Sequence, residues 1–265
     1  MDEVKNPVFK PNKTVAVIGY ALMNLLGGSF IIILIALMYA SANKDLEYLS
    51  PAGTLAIIAG TNFETLTAPE IKLYTFSNSL GNMLTYLLML GFVGFFMRDY
   101  LVEDAKGFKQ NYKRLLWLIP VLAVGAWFIS YGVDYIIELL VHDVSENQNA
   151  ISSMILNGGA VYMFIAVVLC APIVEELIYR KAIFEYLKNK HIAISYVISI
   201  LLFTLPHMLT TFTNPLDWFL MSIPYAFSGF LLCFIYHFSG KNIYASWFAH
   251  MLNNLIAFIL ILVVV

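Results

Sequence analysis

Residues 15–40 read VAVIGYALMNLLGGSFIIILIALMYA and contain no charged side chain. A run of that length is the strongest constraint on this chain, because about 20 apolar residues in helical form cross the hydrocarbon core of a bilayer. Comparable runs recur at 75–97, 115–140, 154–178, 192–210, 218–238 and 243–265. In lipid a backbone can satisfy its own polar groups only as a helix or as a closed barrel. The runs are continuously apolar rather than alternating, which selects the helix. The expected fold is therefore all-α, a polytopic membrane bundle of about seven transmembrane helices. Only 12% of the residues are charged, about half the share usual for a soluble domain.

Orientation follows from the cations. With the N-terminus placed in the cytoplasm, all of the fifteen Lys and Arg residues except Lys44 and Lys72 fall on the inner side. That is a strong positive-inside bias. Cys170 and Cys233 both fall within spans, so no disulfide framework is expected. No basic cluster with interleaved aromatics points to nucleic acid.

Between the spans, the outer segment 41–74 carries GTLAIIAG, apolar but too short to cross, hence re-entrant or interfacial. The inner stretch RDYLVEDAKGFKQNYKR mixes both charge signs and reads as a solvated connector. Asp134 and Glu138 share one face by their i,i+4 spacing. They suit the outer interface, with a role in an outer vestibule as the sharper reading. Residues 1–150 carry no recognisable motif. Residues 151–265 carry three, and are expected to form the catalytic helical core.

The first is EELIYR, with Glu175, Glu176 and Arg180. Glu176 and Arg180 are i,i+4 in the favourable order and can pair, whereas Glu175 lies about 100° away around the helix without a local partner. A carboxyl held in apolar surroundings is a candidate general base or acid. The second is FTLPH, with Phe203 and His207; the third is HMLNN, with His250, Asn253 and Asn254. Intramembrane ionisable groups usually face the bundle interior and mark function. At a helical rise of 1.5 Å per residue, Glu175, His207 and His250 fall within about two turns of one depth, in the inner half of the bundle. Each pattern also has a structural reading, the Glu–Arg pair as an anchor and His250 with Asn254 as a cross-link between helices. Their order and common depth favour one site.

In that order, Glu175-Glu176-x-x-x-Arg180, Phe203-x-x-x-His207 and His250-x-x-x-Asn254, the sequence resembles the CPBP family (CAAX protease and bacteriocin-processing, also called Abi) over roughly residues 150–260. That family includes the Ras-converting CAAX prenyl endopeptidases. The resemblance implies an all-helical, membrane-embedded glutamate-dependent endopeptidase that cleaves with an activated water. It implies that Glu175 and His207 activate the water and that His250 and Asn254 stabilise the oxyanion. Glu176 and Arg180 would support the catalytic glutamate, together with Phe203 and Asn253.

No cofactor is expected. Zinc is the alternative on the same carboxylates and histidines, although the chain lacks HExxH. The expected partners are membrane lipids and a peptide or membrane-protein substrate, in a prokaryotic cell membrane. The alternative function is a non-proteolytic scaffold or regulator, or a bacteriocin immunity factor, on the same fold. A transporter is disfavoured by the lack of an internal repeat.

Overall fold

The computed structural model describes residues 12–60, 65–141, 146–188, 191–209 and 214–264. Every regular element among them is helical. We label them α1 (Lys13–Ala42), α2 (Pro51–Ala59), α3 (Ala68–Lys113), α4 (Leu115–Val141), α5 (Glu146–Lys188), α6 (Ile192–Met208), α7 (Pro215–Phe238) and α8 (Ile243–Val264). Six of these, α1, α3, α4, α5, α7 and α8, are long and apolar enough to cross a membrane. The remaining expected span, 192–210, corresponds to α6, of 17 residues. At roughly 25 Å it falls short of the ~30 Å hydrocarbon core; Thr210, its expected end, lies outside the described residues. Large side chains such as Leu26, Met38, Trp117, Phe128 and Val161 are exposed. Such a surface is stable only against lipid. The protein is an integral membrane protein.

Helix α5 is the centre of the bundle. Two-thirds of its most apolar window, 67%, is buried, against 6–28% for the other five spans. It is not a regular helix. It breaks at Asn157 and Gly158, where Gly158 takes a φ of 103° that favours glycine. It then widens into π-helix over Phe164–Cys170 and again over Leu177–Phe184. Pro172 stands two residues after the Phe164–Cys170 stretch. A proline inside a helix has no N–H to donate and its ring crowds the preceding turn, and the wider π-turn relieves that crowding. The short apolar segment expected to be re-entrant or interfacial contains α2, capped at its start by the Ser50 hydroxyl on Gly53 N. Asp134 is exposed on α4, and the side chain of Glu138 lies outside the described residues.

The inner connector differs from expectation. The backbone stays helical from Ala68 to Val141, interrupted only at Asn111 (φ −112°, ψ 16°). Within it Asp104 is buried and ion-paired with Lys181 at 2.7 Å. Its Oδ2 accepts the backbone N–H of Ile243, the first residue of α8, at 2.9 Å, and its carbonyl accepts from Asn242 Nδ2 at 2.7 Å. A helix start carries unsatisfied N–H groups and a partial positive charge, so a carboxylate there is doubly favoured. Mixed charge in sequence is indistinguishable from a solvated loop until its long-range partners are known. The turn before α8 is tight: Gly240 and Lys241 both have positive φ, and Lys241 N returns to Tyr236 O at 2.9 Å, a Schellman closure of α7. Asp104 and Lys181 thus fix where α8 begins, and with it the height of His250. Breaking a buried pair on one side strands the other charge at about 3–5 kcal/mol. Asp104→Ala and Lys181→Met are each expected to lower stability by about that much in denaturation of the purified protein, with the double variant milder than Asp104→Ala.

Both halves of the sequence contribute to one buried core. Ala16 and Tyr20 of α1 and Met89 and Val93 of α3 belong to the same cluster as Leu177, Phe203 and Ala249.

Candidate active site

The α-helical turn Ala171–Glu176, between the two π-widened stretches, carries Glu175 and Glu176 into this core, and the second widened stretch carries Arg180; they are 5%, 0% and 0% exposed. As the spacing predicts, Arg180 Nε stands 3.2 Å from Glu176 Oε2. That contact is one of charge, since Nε and Nη1 lack hydrogen-bond partners of good geometry. Nη2 donates to the carbonyl of Gly229 on α7 at 3.2 Å, and the guanidinium lies 4.7 Å from the centre of the Phe203 ring.

His250 of α8 stands between the two glutamates. Its Nδ1 is 3.3 Å from Glu176 Oε1 and its Nε2 is 3.9 Å from Glu175 Oε2. The Phe203 ring meets the imidazole edge-on at 5.7 Å. A hydrogen on Nδ1 suits the Glu176 contact, while Nε2 faces Glu175 at a distance beyond a direct hydrogen bond. The result is a buried cluster in which His250 and Arg180 flank Glu176, and His250 turns its second nitrogen towards Glu175.

Glu175 lacks a partner on its own helix, as expected, but not in the fold. The Tyr86 hydroxyl, on α3, donates to its Oε1 at 3.1 Å. Sequence reasoning missed this residue. The available signal was the i,i+4 row Asn78, Asn82, Tyr86 on one face of an otherwise apolar span.

The other expected residues are placed less closely. Nδ1 of His207 is 2.9 Å from the Phe203 carbonyl, and its ring stacks on Tyr225 at 4.9 Å. A carbonyl only accepts, so Nδ1 carries the hydrogen and Nε2 is left as the acceptor. Phe203 touches both imidazoles, at 5.1 Å from His207, and among the described residues no hydrogen bond joins His207 to Glu175. Asn254 Nδ2 donates to the Val167 carbonyl at 2.8 Å. The cause is Pro172. Ala171 N bonds Ala166 O in the π register, so the next bond, to Val167 O, falls to a proline nitrogen without hydrogen. Asn254 fills that position with one of its two amide hydrogens and keeps the other. Asn253 Nδ2 lies 3.5 Å from Asn254 Oδ1.

Among the described residues no group of three or more His, Cys, Asp or Glu side chains is placed to hold a metal ion. Glu176 in particular is already engaged, with one oxygen on His250 and the other on Arg180.

Residues 157–256 match the family of the type II CAAX prenyl endopeptidase, Rce1-like. This part of the chain is similar to the CAAX-protease family, and the match supports the resemblance read from the three motifs. It contains Glu175, Glu176, Arg180, Phe203, His207, His250, Asn253 and Asn254, whereas Tyr86 and Asp104 lie before it. The chain is similar to an uncharacterized protein of Mycoplasma capricolum subsp. capricolum, 28% identical over 166 residues, 59% of this chain and 47% of that protein. It is also similar to the UPF0177 protein YbdI of Lactococcus lactis subsp. lactis, 30% identical over 114 residues, 40% of this chain and 60% of that protein. The matches thus span about half the length of these curated relatives. No solved structure matches the chain.

Proposed function

We propose that the protein is an intramembrane endopeptidase that hydrolyses a peptide bond near the cytoplasmic leaflet with a water activated by Glu175. The observation that carries this is the buried cluster of Glu175, His250, Glu176 and Arg180 inside membrane helices. Such a cluster is costly to bury, and in a membrane interior it usually serves function. The similarity to the CAAX-protease family supports the reaction class.

In this reading the carboxylate of Glu175 takes a proton from water as the oxygen attacks the substrate carbonyl carbon. The same proton then passes to the leaving amine nitrogen as the C–N bond breaks. His207 offers its unprotonated Nε2 to the same water. His250, oriented at Nδ1 by Glu176, and the second amide hydrogen of Asn254 stabilise the oxyanion, each such donor being worth about 2.7–4 kcal/mol in a water-poor site. No metal takes part. The two bacterial relatives support a prokaryotic cell membrane as its location, where leader peptides, signalling peptides or membrane-protein segments are suitable substrates.

The test compares peptides released in a deletion strain carrying the wild-type chain with those in the same strain carrying Glu175→Gln. Peptides present only with the wild type are expected. A deletion phenotype fully rescued by Glu175→Gln would replace this reading with a non-proteolytic regulator on the same fold. Purified protein is expected to keep its activity under strong chelation; stoichiometric zinc whose removal abolishes cleavage would overturn the metal-free mechanism.

A further inference from the structure

We propose that Tyr86 is a positioning residue of this site, its phenol holding Oε1 of Glu175 so that Oε2 faces His250. The inference rests on the endopeptidase reading and extends the site to a helix outside the family-matched segment. Its basis is geometric. Tyr86 OH donates to Oε1 at 3.1 Å, while Oε2 is the oxygen 3.9 Å from His250 Nε2. The terminal torsion of a glutamate is soft and two-fold, so a carboxylate touched on one oxygen only can turn the other away. A hydrogen bond to a charged acceptor is among the stronger ones and locks that torsion.

The neighbouring phenols are not interchangeable with Tyr86. Tyr20 and Tyr179 bond each other at 2.9 Å, with Asn24 Nδ2 donating to the Tyr20 oxygen at 3.2 Å. The Tyr179 ring is set edge-on against Phe203 at 5.6 Å. These two are occupied with each other, and Tyr86 is the phenol that reaches Glu175. The two oxygens of the catalytic carboxylate are therefore assigned different tasks by different parts of the chain: one is held by α3, the other is presented to α8.

The experiment uses the full chain in lipid nanodiscs with the Tyr86→Phe substitution, which removes one oxygen atom and leaves the ring. Infrared difference spectra identify the Glu175 band as the one lost in Glu175→Gln. In Tyr86→Phe that band is expected to shift, and kcat on a peptide released by the wild-type protein is expected to fall roughly ten- to a hundredfold with KM unchanged, the scale of one charge-assisted hydrogen bond. An unshifted band overturns the proposal, and so does a shifted band with unchanged kcat or a loss seen only in KM. If the wild-type protein releases no peptide, the endopeptidase reading fails, and the infrared band alone decides whether Tyr86 holds Glu175.

Discussion

Glu175→Gln is expected to lower peptide release by about 10²–10⁴-fold, the usual contribution of a general base, and to leave the unfolding temperature of the purified protein close to that of the wild type. The two halves of this expectation have separate origins. Rate is lost because an amide cannot take the proton of the attacking water. Fold is kept because the amide oxygen still accepts from Tyr86, whose hydroxyl lies 3.1 Å from Oε1, and the amide nitrogen can donate to His250. Glu175 is not part of the ion pair that holds the helices, so its charge can be removed without stranding another. Glu176→Gln is the contrast, since it leaves the fully buried Arg180 without its counter-charge. Peptide release by mass spectrometry and thermal unfolding of the same preparations measure both halves. Full activity in Glu175→Gln would remove Glu175 from the mechanism. His250→Ala is expected to abolish cleavage as well, by removing both an oxyanion donor and the imidazole that stands between the two glutamates.

How much of this could be read from sequence depends on the range of the interaction. The apolar runs are local, and they placed every long helix of the bundle. Glu176–Arg180 is one helical turn, and the spacing alone placed it. Between helices a common depth for Glu175 and His250 was legible, and the structure brings the two to 3.9 Å. The closer Glu176–His250 contact at 3.3 Å was not legible. The sequence had no means of linking Tyr86 to Glu175, 89 positions apart, because a tyrosine in an apolar span reads as packing. Asp104 was hidden for the opposite reason: among neighbouring charges it reads as solvated. Asn254 shows a third limit. Its contact with Val167 follows from the π register enforced by Pro172, and that register has no periodic signature in a continuously apolar run. His207 was placed by depth alone. Depth does not give azimuth, and the structure turns its Nδ1 to the Phe203 carbonyl and its ring to Tyr225.

The largest loss of stability is expected at Arg180. Its side chain is completely buried and ties three helices: Glu176 on its own helix α5, the Gly229 carbonyl on α7 and the Phe203 ring on α6. Arg180→Met fills most of the same volume but removes the counter-charge of Glu176 and the side-chain tie to the Gly229 carbonyl on α7. A buried charge left without its partner costs about 3–5 kcal/mol, a large fraction of the stability of any domain. Arg180→Lys is not expected to rescue it, because a single ammonium cannot meet a carboxylate and a carbonyl on another helix while also lying flat on an aromatic face. Removing both charges separates the contributions. Glu176→Gln combined with Arg180→Met is expected to be more stable than Arg180→Met alone, since no buried charge is then left without its partner. Gly229 faces the Phe203 ring. A Cβ there would come within 3.1 Å of Phe203 Cδ1, so the ring would have to give way by a few tenths of an ångström. Gly229→Ala is therefore expected to destabilise in the same direction as Arg180→Met, by less. Chemical denaturation of the four variants in one detergent would test the set, and an Arg180→Met protein as stable as the wild type would show that the pair does not hold the bundle together.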